Sequence, residues 1–403
     1  MIYLDNASTS FPKPKSVANS IYEYLCSYGV SPQRGSYHMA EQAEMVVQKT
    51  RSLLAELLGA SSENSIVFTN NATHSLNLAI KGTLQANDHA IICSYSHNSI
   101  IRPLETLKRT LGISYDVIEV SPNGSINLQD VQCKIKPNTK LACFTHASNV
   151  VGVVSQYEPA ACFCRSKNIQ VLLDCTQSIG YCPISVETMP IDLLAGTGHK
   201  TLLGPSGIGF LYVKNHKSLS TMVEGGSGGN YSLSPFHPSQ MPYKFEAGTP
   251  NTTGISGLKG ALEYIQKVSF EQIVNTSMNL LHLAWNTLSE LKEATLYGAG
   301  PLQCKKVPII SFTLSGTLPT ELAHQYDEAQ ICLRTGTQCS PLIHKTLGTL
   351  PTGTIRIGIG HYNTPRDIDL FIQTTKSIIR KTHYAKTCAR FHTSIDEQNR
   401  QAM

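Results

Sequence analysis

Val171-Leu-Leu-Asp174-Cys-Thr-Gln177 and Ile191-Asp-Leu-Leu-Ala-Gly-Thr-Gly-His199-Lys200 decide how this chain is read. Each is a short apolar run that ends in polar residues. Such runs are what strands buried on both faces of a parallel sheet look like. An acid and an amide close the first run, and a lysine follows the second. An aldehyde cofactor with a basic ring nitrogen needs that set. The lysine amine forms a Schiff base with the aldehyde, and the carboxylate keeps the ring nitrogen protonated so that the ring draws electrons. The ordered pair points to pyridoxal 5'-phosphate.

Outward from these runs, β-like segments alternate with helical patterns. SIVFT precedes a helix from Thr73, AIICS precedes Ser99 to Leu111, and KLACFTH precedes Glu158 to Lys167. GIGFLYV follows the lysine. This alternation predicts an α/β fold with a mostly parallel central sheet and helices on both faces. The polar residues stand just after strands, where ligands bind in open α/β sheets. Before this region, Ser16 to Tyr28 and Ala40 to Leu58 read as amphipathic helices, the second stopped by Gly59. After it, the Gly/Pro/Ser-rich stretch from Gly225 to Pro250 reads as a long ordered loop. One helical region from about Gly257 to Leu291 reads as a bridge to a second, smaller α+β unit.

The chain has 403 residues, more than one compact core accommodates, so a large and a small domain are expected. The boundaries fall at 15–257 for the large domain, 1–14 with 258–381 for the small one, and 382–403 for a polar tail that is frayed or weakly docked. Charged residues make up 15% and the net charge is +5, with no basic run that suits a nucleic acid. No apolar run approaches a membrane span, and Met1-Ile-Tyr-Leu-Asp-Asn does not read as a signal peptide. Twelve scattered cysteines without export signals then suggest reduced thiols in a cytoplasm. Cys162-Phe-Cys164 has no matching second pair, so no metal site is expected.

Ten landmarks stand in one order: YLDNAST, RGSYHMAEQA, FTNNATHSLNLAI, SYSHNSIIRP, THASNVVG, LLDCTQSIG, GTGHKTLLGPSGIGFLYV, KFEAGTPNT, LRTGTQCSPLIH and TIRIGIGHYNT. Together, from Tyr3 to about Ser377, they resemble the class V aminotransferase family in its cysteine desulfurase and selenocysteine lyase branch. The resemblance implies fold type I of the pyridoxal-phosphate enzymes and a homodimer with shared active sites. It makes Lys200 the Schiff-base lysine that also moves the α-carbon proton. Asp174 takes the ring nitrogen, Gln177 the ring hydroxyl, and His97 stacks on the ring. Asn149 sits near the ring hydroxyl and the substrate carboxylate. Thr73 and His74, at a helix start, take the phosphate with Thr197 and His199. Thr249 would reach the phosphate of a neighbouring subunit. Arg356 matches the arginine that binds the substrate carboxylate, and Arg34 and Arg334 are further positions near the site. His146, in the same THASN run as Asn149, reads as a satisfied strand-end histidine.

Cys339, in Arg334-Thr-Gly-Thr-Gln-Cys-Ser-Pro341, matches the loop cysteine whose thiolate attacks the sulfur of L-cysteine, leaving alanine and a persulfide for a sulfur-acceptor protein. The family's usual neighbours of this cysteine are histidine before and alanine after; here they are Gln338 and Ser340. That departure keeps selenocysteine lyase, cysteine-sulfinate desulfinase and other lyases of the frame in play, because selenide and sulfite leave more readily than sulfide. A non-catalytic scaffold of the same fold is the remaining alternative. The destination of the sulfur, whether iron–sulfur clusters, thionucleosides or another thio-cofactor, is not written in the sequence.

Overall fold

The computed structural model describes residues 1–32, 35–227 and 232–382. Strand β1 (Ile2–Tyr3) and helices α1 (Lys15–Ser27) and α2 (His38–Leu58) open the chain. Then come β2 (Ile66–Thr69), α3 (Ala72–Thr83), β3 (His89–Cys93), α4 (Asn98–Leu111), β4 (Ser114–Ile118), α5 (Leu128–Lys134), β5 (Thr139–Thr145), α6 (Glu158–Ser166), β6 (Gln170–Asp174), β7 (Leu193–Thr197) and β8 (Gly209–Val213). Helices α7 (Thr252–Val268) and α8 (Phe270–Ser289) lead to β9 (Ala294–Tyr297), β10 (Ile309–Leu314), α9 (Pro319–Glu328), β11 (Ile331–Cys332), β12 (Arg334–Gly336), α10 (Pro341–Thr346) and β13 (Thr354–Gly358). A last helix, α11, spans 365–382.

Seven strands form one sheet in the order β2-β8-β7-β6-β5-β3-β4. The pairs β3–β4, β3–β5, β5–β6 and β6–β7 are parallel, whereas β8 runs antiparallel to both β2 and β7. Alternate residues of each inner strand enter two apolar cores. On β6, Val171 and Leu173 face one and Leu172 the other. Burial on both faces is why these strands read as continuous apolar runs.

The expected helix over 257–291 is two helices. Ser269, at φ 73°, ends α7 and starts α8, and its hydroxyl accepts the Gln272 N–H. No glycine or proline marks this break in the sequence. Helix α7 packs Ile255, Leu258, Leu262 and Ile265 into a core of the seven-stranded sheet. Helix α8 begins there with Ile273 and then places Leu280, Leu281, Ala284 and Leu288 in a separate core. That second core lies on the antiparallel sheet β12-β13-β10-β9 and also takes residues of α11. The N-terminus joins it, since β1 pairs in parallel with β11 and Asp5 bridges to Gly358. The expectation for the tail falls outside the described residues from 383 onward. Among the described residues, no helix is long and apolar enough to cross a membrane.

The stretch from Gly225 to Pro250 contains neither helix nor strand among its described residues. Its C-terminal part is held by one buried ion pair. Arg51, 0% exposed on α2, donates to both carboxylate oxygens of Glu246, at 2.7 and 2.9 Å. Its guanidinium also lies 4.6 Å from the Phe68 ring centroid, and Glu246 accepts the Phe68 N–H at 2.6 Å. Removing one partner strands the other charge away from water, which costs about 3–5 kcal/mol. Arg51→Met should therefore lower the unfolding free energy by that order, which is read as a lower urea midpoint at unchanged m. An unchanged midpoint would show that this pair does not secure the segment.

Candidate active site

The carboxyl ends of β5, β6 and β7 and the N-termini of α3 and α4 surround a cleft. Thr73, His97, Asn149, Asp174, Gln177, Thr197, His199 and Lys200 all line it. Asp174 ends β6 and pairs in register with Ala195 on β7, so the turn after β7 delivers Lys200 to the same end of the sheet. Asp174 is 4% exposed. Burial pushes its carboxyl up, opposed by the backbone and hydroxyl bonds from Thr176 and by the Lys200 charge. The Lys200 amine makes no hydrogen bond or ion pair among the described residues. Loss of hydration and then the Arg356 charge push its amine down to about 8, with Asp174 acting in the other direction. The cleft thus presents a buried acid and a reactive amine that do not neutralise each other.

Two helix starts face the cleft. Asn71 caps α3 by accepting the His74 N–H at 2.9 Å, and the Thr73 hydroxyl meets Ser99 Oγ at 2.7 Å. A Cβ on Gly209 of β8 would lie 2.6 Å from the Asn71 carbonyl carbon, so the glycine lets the α3 N-terminus settle on the sheet. The Nδ1 atom of His199 is buried without a partner, as is the Thr145 hydroxyl on the same wall. Unpartnered polar atoms beside a helix start suit an anion such as a phosphate.

His97 caps α4, its Nδ1 accepting the Ser99 N–H at 3.0 Å. Burial, then the charges of Lys200, Arg334, Arg102 and Arg356, push it down to about 4, so the ring is neutral at ordinary pH. Gln177 donates to the Ala7 carbonyl at 2.9 Å. His146 lies outside the cleft lining, buried edge-on to Tyr157, as a strand-end residue.

His74, Thr249, Arg334, Cys339 and Arg356 do not line this cleft among the described residues. Thr249 is exposed. Arg34 lies outside the described residues. Arg356 is 1% exposed and engaged at both outer nitrogens, while its Nε is buried without a partner among the described residues. One outer nitrogen donates to the Asn149 carbonyl, and the other to Asp5 and the Ser8 hydroxyl, each at 2.9 Å. Arg334 reaches Ser8 at 3.2 Å and the Cys339 sulfur at 3.6 Å. Cys339 borders the cleft because its carbonyl accepts the Asn98 N–H of α4 at 2.8 Å, next to His97. Gln338 and Cys339 have φ of 43° and 59°. Each left-handed residue costs on the order of 1–2 kcal/mol, so the surroundings must hold this loop.

Asp5, Ser8, Ser99 and Thr176 belong to the site and escaped the sequence reading. Their motifs, YLDNAST, SHNS and DCTQ, contain them without marking them. Competitive acylation of the cofactor-free protein across pH tests the site's electrostatics. Lys200 should label with a midpoint near pH 8, because its neutral, reactive form prevails only above that value. A midpoint in the usual lysine range, about 10.4, would contradict the burial described here.

The profile of the family described as Aminotransferase class-V matches residues 2–371. A probable cysteine desulfurase of Synechocystis is 30% identical, over 94% of this chain and 91% of the relative. One of Pyrococcus abyssi is also 30% identical, over 94% of each. The apo structure of a cysteine desulfurase from Thermococcus onnurineus superposes with a TM-score of 0.87 at 30% identity, covering 94% and 95% of the two chains. A cysteine desulfurase structure from Escherichia coli gives 0.83 at 26% identity, covering 94% of each. The acid, amine and anion cradle fit pyridoxal phosphate, and the chain belongs to the class V aminotransferase family of pyridoxal-phosphate-dependent enzymes.

Proposed function

We propose that this enzyme is a cysteine desulfurase, which converts L-cysteine to L-alanine and keeps the sulfur as a persulfide on Cys339. The observation that carries the reading is a loop-borne thiol, beside Arg334, docked at the rim of a cleft that holds Asp174 and Lys200. An aminotransferase has no use for that thiol. The relatives' names point the same way.

In this reading, Lys200 attaches the cofactor, Asp174 faces its ring nitrogen, Gln177 its hydroxyl and His97 its face. Thr73, Thr197 and His199 receive the phosphate, with the positive end of α3 behind them. When bound, pyridoxal phosphate supplies an electron sink for the pair left at the amino acid's α-carbon. The Lys200 amine, brought down to about 8 and so more readily freed of its proton than an ordinary lysine, takes the α-proton. Asp174 stays ionised against the ring nitrogen, which offsets the burial that otherwise favours its neutral form. The Cys339 thiolate then attacks the substrate sulfur, with the Arg334 guanidinium in reach of its charge. Arg356, with Arg334 and Arg34, is our candidate for the substrate carboxylate. To serve, it exchanges its bond to Asp5 for the substrate, whose planar carboxylate suits the guanidinium fork.

We further propose a homodimer in which the exposed Thr249 reaches the partner's phosphate, a separate sulfur-acceptor protein, and a cytoplasmic location. The two bodies are best divided within α8 near Ile273, since α7 belongs to the core of the large sheet. This moves the boundary from 257 and leaves 1–14 with the small body.

Mixing the protein with L-cysteine should add one sulfur to the Cys339 peptide in a mass spectrum. Cys339→Ala should lose at least about 10²-fold in desulfuration, as expected for a missing nucleophile, while keeping the cofactor's visible absorbance. Full activity in that variant would remove Cys339 from the chemistry. Lys200→Ala should lack the absorbance of the attached cofactor; retention of that band would reassign the attachment site.

A further inference from the structure

Cys339 stands between two buried polar residues, Gln338 at 3% and Ser340 at 0% exposure. The Gln338 side chain turns away from the cleft. Its Nε2 donates to the Thr354 carbonyl at 3.0 Å, and its Oε1 lies 2.8 Å from His344 Nε2. The Thr354 carbonyl only accepts, so the amide orientation is determined. His344 must then donate from Nε2, which leaves its Nδ1 to accept from the Thr349 hydroxyl at 2.7 Å. Every polar atom in this chain of contacts has a partner.

The backbone of the loop is gripped as well. The Asn149 amide donates from Nδ2 to the Gln338 carbonyl at 2.8 Å and accepts from the Ser340 hydroxyl at Oδ1, also at 2.8 Å. One side chain of the cleft wall thus holds the loop on both sides of the cysteine. Asn149 was expected to serve the ring hydroxyl and substrate; here each of its polar atoms makes one bond to the loop, and Nδ2 keeps a second N–H. Between these anchors, Gln338 and Cys339 keep the left-handed backbone that side chains rarely adopt. Without the anchors, the Asn98 bond to the Cys339 carbonyl remains, but this strained backbone loses its side-chain supports on both sides and the thiol shifts with it.

We propose that the bonds of Gln338 to His344 and Thr354, and of Ser340 to Asn149, form a latch that sets the position of the Cys339 thiol. Gln338 and Ser340 are thereby positioning residues for sulfur transfer. They stand where the family pattern has histidine and alanine, and they supply the anchoring with an amide and a hydroxyl. The proposal rests on the desulfurase reading.

The latch matters only for a substrate whose sulfur must be taken by the thiol. With L-cysteine, the Cys339 thiolate bonds to the substrate sulfur and the C–S bond breaks. Its electron pair goes to the β-carbon, which takes a proton, and alanine leaves a persulfide behind. With L-cysteine sulfinate, the sulfur departs unaided, and water completes alanine and sulfite. Misplacing a reacting group by about 1 Å costs up to about 10²-fold, so only the first reaction is sensitive.

The test compares wild-type holoenzyme with Gln338→Ala and Ser340→Ala on both substrates, with iodoacetamide alkylation of Cys339 as a readout that needs no turnover. Gln338→Ala should lower kcat for L-cysteine about tenfold or more at similar KM. Its sulfinate turnover should stay within about twofold, and Cys339 should alkylate faster. Ser340→Ala, a smaller perturbation, should move each quantity in the same sense. Unchanged L-cysteine turnover and alkylation in both variants overturn the latch, and so does an equal loss on both substrates. A wild-type protein that makes no alanine from L-cysteine overturns the desulfurase reading instead. The alkylation rates then decide the latch alone.

Discussion

A buried carboxylate and the amine of a half-buried lysine stand at the same end of two adjacent parallel strands, and they do not neutralise each other. Asp174 is raised by its burial and Lys200 is brought down to about 8. Either group alone would be an uncompensated cost to the fold. A cofactor with a basic ring nitrogen and an aldehyde answers both, because it gives the acid a cation and takes the amine into a bond. The two apolar cores on either face of the sheet keep β6 and β7 in register, and that register places the pair. The helix starts of α3 and α4 close the same end of the sheet.

Around this pair, the other charges are managed by neighbours. Thr176 steadies Asp174 with two hydrogen bonds. Asp5 and Ser8, brought in by the N-terminal strand, hold Arg356 and Arg334 beside the cysteine loop. Arg356 is thus positioned before any substrate arrives, at the expense of an exchange when one does. The thiol itself rests on contacts that run from the cleft wall into the small sheet, through Asn149, Gln338 and His344.

The inner strands and the cleft residues on them were legible in the sequence because burial on both faces writes a continuous apolar run. The polar residues after β5, β6 and β7 end such runs. The edge strand β4 was not read, since Ser114, Tyr115, Asp116 and Val117 are only half-buried and show no apolar run. The break at Ser269 was hidden for a different reason. Its positive φ is held by tertiary packing and a serine cap, without the glycine that usually signals one. Partnerships such as Arg356 with Asp5 and Asn149 with Ser340 join residues far apart in the chain. No local pattern announces them. The departure at Gln338 was visible as an oddity, and only its hydrogen bonds gave it a role.

The central claim is that one cleft removes sulfur from L-cysteine and passes it through a cysteine of this chain. The most direct measurement is the release of alanine and sulfide from L-cysteine by the purified yellow protein, with and without a thiol reductant. Equal amounts of both with reductant, and alanine limited to about one turnover without it, are the result predicted for a persulfide that must be discharged before the next cycle. Sustained alanine formation that ignores the reductant, or no alanine at all, would contradict the account.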